Sequence, residues 1–158
     1  MSVQVSETSV YRSTVVRAPI ETCFRVFTEE MQTWWDPDHH LVEGELDRMV
    51  VECRVGGRIY DVAKDGTECC WAHVRAYEPP NRFVFSWDIT TQWQIETDPA
   101  KASEVEIRFT AQSPDATLVE LEHKHLDRHG DGWESMRDAV GGGWDLSGFA
   151  AAAERAAA

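Results

Sequence analysis

The chain lacks any run of apolar residues approaching the ~20 that a helix needs to cross a bilayer, and Met1 to Thr14 is too polar for the hydrophobic part of a signal peptide. A cytoplasmic protein is therefore expected. Positive charge is scarce: 15 Lys and Arg stand against 28 Asp and Glu, a net charge of −13. Such a surface repels phosphate backbones and anionic headgroups alike, so neither nucleic acid nor a membrane is an expected partner. Cys23, Cys53, Cys69 and Cys70 have no CxxC spacing, and the adjacent pair would point to opposite faces of a strand. Packed, reduced thiols are expected rather than a zinc site or redox dithiol. The motifs GxSxG, HExxH, GxxxxGK[ST] and GxGxxG are absent. Motif-bearing hydrolase, zinc-protease, nucleotide and dinucleotide readings thus have no support, and no cofactor is expected.

What is present fits one domain over residues 1–158, long enough to bury roughly 70% of its unfolded surface and to enclose a pocket. Val10 to Arg17 is rich in β-branched residues and reads as a strand. Pro19 then suits the first turn of a helix whose apolar stripe runs through Ile20, Cys23, Phe24 and Phe27, continues to Met31, Trp34 and Trp35, and stops at Asp36-Pro37-Asp38. Six strands are expected next, at Leu46 to Val55, Arg58 to Lys64, Glu68 to Tyr77, Arg82 to Ile89, Glu104 to Gln112 and Thr117 to His125. Turn-forming residues separate them: Gly56-Gly57, Asp65-Gly66, Pro79-Pro80-Asn81, Asp98-Pro99 and Ser113-Pro114-Asp115. Trp133, Met136, Val140 and Trp144 then recur at helical spacing, followed by Leu146, Phe149 and an alanine-rich tail. The glycines at 141–143 mark a kink, a restart or a close approach to the sheet.

Strand parity divides the sheet into an oily face and a solvated one. Phe83, Phe85 and Trp87 alternate with Val84, Ser86 and Asp88; Val105, Ile107 and Phe109 alternate with Glu104, Glu106 and Arg108. A one-sided sheet must cover its oily face, and the C-terminal helix is the main covering material. The expected class is α+β: a curved antiparallel sheet of six or seven strands wrapped round a long C-terminal helix, with two short helices after the first strand.

The stretches RAPIETCFRVFT (17–28), WWDPDHH (34–40), VGGRIYD (55–61), DGTECCWAHV (65–74), YEPPNRFVFSW (77–87), SEVEIRF (103–109), LVELEHKHL (118–126) and GGW (142–144) follow in order along nearly the whole chain. They resemble the helix-grip fold of the START-like (SRPBCC), birch-pollen-allergen-like superfamily, and within it the homologues of the activator of the 90-kDa heat-shock protein ATPase. In the stretch WxxV, where relatives usually have glycine, this chain has Ala72. The resemblance implies an internal cavity between sheet and helix. The seven tryptophans suit one, because aromatic walls with a few placed polar groups line small-molecule pockets.

By parity and position, Phe85, Trp87, Phe109, Leu121 and His123 face the cavity. Trp34 and Trp35 close one end, Trp144 and Phe149 come down from the helix, and DPDHH forms a polar rim. His123 is expected to orient a ligand by one hydrogen bond, with His125 at the rim. Those two histidines share a strand face, and Asp36, Asp38, His39 and His40 add further metal-ligand types, but Lys124 and the polar run after it argue for a strand leaving into solvent, so no metal site is expected. Glu52 and Arg54 read as an ion-pair network, and Asp61 as a partner of Arg58 or Arg54. No catalytic residue is assigned. The leading expectation is a binder of a small apolar or aromatic molecule. A polyketide cyclase or dehydratase using His123, Tyr60 or Asp61, and a co-chaperone of a 90-kDa heat-shock protein, are the alternatives, with a homodimer left open.

Overall fold

A computed structural model describes residues 7–35 and 44–158. Its strands are β1 Val10–Val16, β2 Leu46–Val51, β3 Arg58–Ala63, β4 Glu68–Glu78, β5 Arg82–Trp87, β6 Ser103–Ser113 and β7 Ala116–Lys124. They form one seven-stranded sheet in the order β1-β7-β6-β5-β4-β3-β2, every neighbouring pair antiparallel. Bulges in the β2–β3, β3–β4 and β4–β5 pairings bend the sheet into a curled half-barrel. Helix α1, Ile20–Thr28, follows β1, and α2, Trp133–Gly143, and α3, Ser147–Ala157, follow β7. This is the expected helix-grip arrangement.

Two elements are shorter than their apolar stripes suggest. The second short helix is a single 3-10 turn, Met31–Thr33, after which Trp34 and Trp35 are held by backbone bonds to the Met31 carbonyl. The C-terminal helix is two segments. Gly141 to Gly143 close α2, Trp144 leaves helical geometry at ψ 73°, and the Asp145 carboxylate accepts from the Ser147 backbone N–H at 2.9 Å to start α3. Gly141 is also a close approach: its carbonyl accepts from Arg12 of β1, and a Cβ there would touch Val10.

The concave face carries the core. Phe83, Phe85, Val105, Ile107, Phe109, Val119 and Leu121 are buried with the expected parity, under Phe24 and Phe27 of α1, Met136 and Val140 of α2 and Phe149 of α3. The opposite face, expected to be solvated, is buried at its centre: Val84, Ser86, Asp88 and Glu106 are each under 10% exposed. Long charged side chains lie across Glu106, and His73 meets Ser86 and Asp88. Glu106 accepts from Arg82 at 2.8 Å and Lys124 at 2.6 Å; burial alone would raise its carboxyl, but these two cations hold it down at about 2.

Candidate functional site

The predicted lining residues fall into two aromatic groups. In the first, Trp87 sits 5.0 Å from the His123 ring, 5.8 Å from Trp144 and 5.7 Å from Trp71, centroid to centroid. Trp35 extends it, 5.2 Å from Trp71 and 5.6 Å from Trp144, and Phe85 lies 6.0 Å from Trp71. In the second, Phe27 gathers Trp34 at 4.8 Å, Phe149 at 5.1 Å and Phe109 at 5.9 Å. Trp34 and Trp35, 5.9 Å apart, join the groups. Leu121 is fully buried in the core. Trp34 and Trp35 alone among these are partly exposed. An open groove of about 580 Å³ lies elsewhere, between β1 and α2, lined by Val10, Arg12, Arg137 and Gly141 among others.

His123 is completely buried, and both of its ring nitrogens have protein partners. The Trp144 indole N–H donates to Nδ1 at 3.0 Å, while Nε2 is 2.8 Å from Ser103 Oγ. Ser103 Oγ is in turn 2.7 Å from His129 Nε2. An indole nitrogen only donates, so His123 Nδ1 must accept and the ring is the neutral Nε2–H tautomer. His123 then donates to Ser103, and the arrangement that satisfies the serine has its hydroxyl donating to His129 Nε2. His129 consequently carries its proton on Nδ1, and that buried atom has no hydrogen-bond partner. The buried Trp87 Nε1–H has none either. Burial, with a smaller contribution from His129, pushes His123 down to about 3, so it is neutral across the physiological range. Burial also lowers His129, against the opposing pull of Glu96 and Asp88.

Other sequence candidates lie apart from this cluster. Strand β7 ends at Lys124, and His125 turns out into solvent at φ 63°, so it does not continue the parity of His123. Among the described residues no three His, Cys, Asp or Glu converge to hold a metal; Asp36, Asp38, His39 and His40, with the expected polar rim, lie outside the described residues. Tyr60 lies beneath the Arg58 guanidinium, 4.5 Å from its ring centroid. Arg58 pairs with Glu52 and Glu68, and Arg54 with Glu52. Asp61 is buried and pairs across the sheet with Met49, a core residue on the same face as Ile59.

Three members of the cluster were not read from the sequence. Trp71 is the extra residue of a bulge: Ile59 opposes Ala72 while Tyr60 opposes Cys70, so Trp71 and Ala72 both reach the core. Ser103 lies one inward step before Val105, legible by starting β6 a residue earlier. His129 sits in a segment expected in solvent, which a 3-10 turn, Leu126–His129, folds back onto Ser103. On the outer face the same bulge aligns Cys70 Sγ 3.9 Å from His73 Nε2, whose Nδ1 is 2.7 Å from Asp88. The order suggests a nucleophile, a base and a carboxylate, but burial raises the Cys70 thiol, and Asp88 raises it further, which keeps it protonated.

No curated protein matches the chain. Among solved structures, the anthrahydroquino-γ-pyrone synthase Txn09, complexed with SUM, is 38% identical over 93% of this chain and 99% of its own, with a TM-score of 0.65. CalC from Micromonospora echinospora, a self-sacrificing resistance protein, is 23% identical over 95% of this chain and 94% of its own, TM-score 0.61. PFC0360w, an HSP90 activator from Plasmodium falciparum, is 20% identical over 74% and 72%, TM-score 0.51. The latter two share the fold. The profile of the family described as Activator of Hsp90 ATPase homolog 1-like protein matches residues 17–147, which span α1, β2 to β7 and α2. The chain belongs to the Activator of Hsp90 ATPase homolog 1-like family.

Proposed function

We propose that the chain binds a small, flat, polycyclic aromatic molecule in the layer formed by Trp35, Trp71, Trp87 and Trp144 against His123. The observation that carries this reading is the layer itself. Four indoles from β4, β5, the α2–α3 break and the segment after the 3-10 turn pack on one another, and two of them, Trp87 and Trp144, pack on one buried imidazole. Indole faces favour offset or edge contacts with another aromatic ring, and such surroundings suit a planar ligand. Trp35, the partly exposed member, is the entry. The 38% identity to a synthase named for an anthrahydroquinone-fused pyrone supports the ligand class. Native mass spectrometry of protein purified from its own host tests the reading. A retained aromatic molecule at one per chain is expected, and protein that carries none and binds no polycyclic aromatic probe overturns it.

A ring-closing enzyme is the second reading, favoured by that same relative's being a synthase. His123 is a poor acid or base, with both nitrogens engaged and its protonation held down to about 3. A buried carboxyl, Asp61, also pairs across the sheet with the core residue Met49. Incubating the retained molecule or its open precursor with protein separates the two roles: a binder returns the same mass, whereas a cyclising dehydratase returns one lower by a water. The family description also names an Hsp90 activator, and a 90-kDa heat-shock protein is the macromolecular partner to test by pull-down.

A further inference from the structure

Buried polar hydrogens without acceptors are rare in folded proteins, and each one needs an explanation. Here two occur around one cluster: the Trp87 Nε1–H and the His129 Nδ1–H. They belong together structurally. Trp87 and Ser103 are directly paired across β5 and β6 and so point to the same face. Ser103 is the atom-to-atom bridge between His123, which packs on Trp87, and His129. The hydrogen-bond chain is also polarised in one direction, from Trp144 through His123 and Ser103 to His129, so its unspent donor emerges at His129.

We propose that these two donors receive a neutral acceptor oxygen of the bound molecule, which makes the ligand an aromatic ketone or quinone rather than an aromatic hydrocarbon or an anion. This rests on the reading that the tryptophan layer binds a flat aromatic molecule. Two features choose among acceptors. Both donors are neutral N–H groups in buried surroundings, where an unpaired polar hydrogen is costly and a carbonyl repairs it. The nearby carboxylates of Asp88 and Glu96, whose charge acts on His129, and the net charge of −13 both disfavour an anionic ligand. Stacking supplies affinity for any planar ring system, and the two donors supply the discrimination, because a site with unpaired donors rejects an isostere that lacks the acceptor.

Fluorenone and fluorene, equal in outline and differing by one carbonyl oxygen, are the probes, with affinities measured by calorimetry on the intact chain. Fluorenone is expected to bind about tenfold tighter than fluorene. Trp87→Phe, which keeps a ring and removes the N–H, is expected to reduce that ratio severalfold, whatever it does to the affinity the two probes share. His129→Met, which keeps a weak acceptor toward Ser103 and carries no N–H donor, provides the second variant should Trp87→Phe fail to fold. Equal binding of both probes to the unmutated chain, or a ratio that survives both replacements, overturns the carbonyl assignment and leaves the aromatic-binding reading standing. If neither probe binds, both readings fall together.

Discussion

At the residue scale the decisive group is His123, whose chemistry is set by what surrounds it. Its Nδ1 is taken by Trp144 and its Nε2 by Ser103, so it fixes the positions of neighbouring side chains. Its folded pKa is depressed to about 3 from an ordinary 6.5. The unfolded chain therefore takes up a proton that the folded chain refuses, and stability present above pH 6.5 is lost as pH falls toward 3. From pH 7 to pH 5 this one group should cost about 2 kcal/mol. Glu106, depressed to about 2, acts in a lower window: its contribution is present above about 4.5 and is lost as pH falls toward 2. Denaturant unfolding at pH 7, 6 and 5 should show this loss in the unmutated chain and a flatter profile in His123→Gln. An unchanged slope in that variant would contradict the assignment. Parity alone placed His123 inward, since it continues Val119 and Leu121. Its partner His129 was not legible, because a 3-10 turn after β7 reverses the chain in a way no periodicity announces.

Among elements, periodicity located every strand and α1, and it located the C-terminal helix without its break. The apolar stripe of Met136, Val140, Trp144 and Phe149 reads as continuous because Trp144 stays buried even though its backbone leaves the helix. The glycine run held the clue, and its members have different roles. Gly142 lies in α2 with open space where a Cβ would be. Gly142→Ala should therefore stabilise the chain by up to about 1 kcal/mol, raising Tm by about 2–4 °C. At Gly57 a Cβ would collide with the Glu52 carbonyl oxygen in the β2–β3 connection, and Gly57→Ala should destabilise by about 1–3 kcal/mol. Thermal unfolding of the two variants gives opposite signs if this account of the backbone is right. The β4 bulge is the other limit on legibility: strict alternation would send only one of Trp71 and Ala72 inward, and both are in the core.

Across the whole molecule, one curled sheet holds two aromatic groups under the helices, and of the two only the first includes histidine and serine side chains. Around Phe27 the rings pack on one another as ordinary core. Around Trp87 the packing includes an imidazole, a serine and a second imidazole, with two donors left over. The sequence reading pooled both groups as one lining because inward parity is shared by all of them, and parity carries no information on position along the sheet. Fold was legible from order and period; which inward side chains meet was not, because the bulge, the helix break and the final turn decide it. The most direct test is a proton–nitrogen correlation spectrum of the indole N–H groups during titration with fluorenone. The account predicts that Trp35, Trp71, Trp87 and Trp144 shift together and saturate at one ligand per chain, with Trp87 moving furthest downfield, while Trp93 and Trp133, outside the layer, stay in place. Saturating fluorenone that leaves Trp87 and Trp144 unmoved would contradict it.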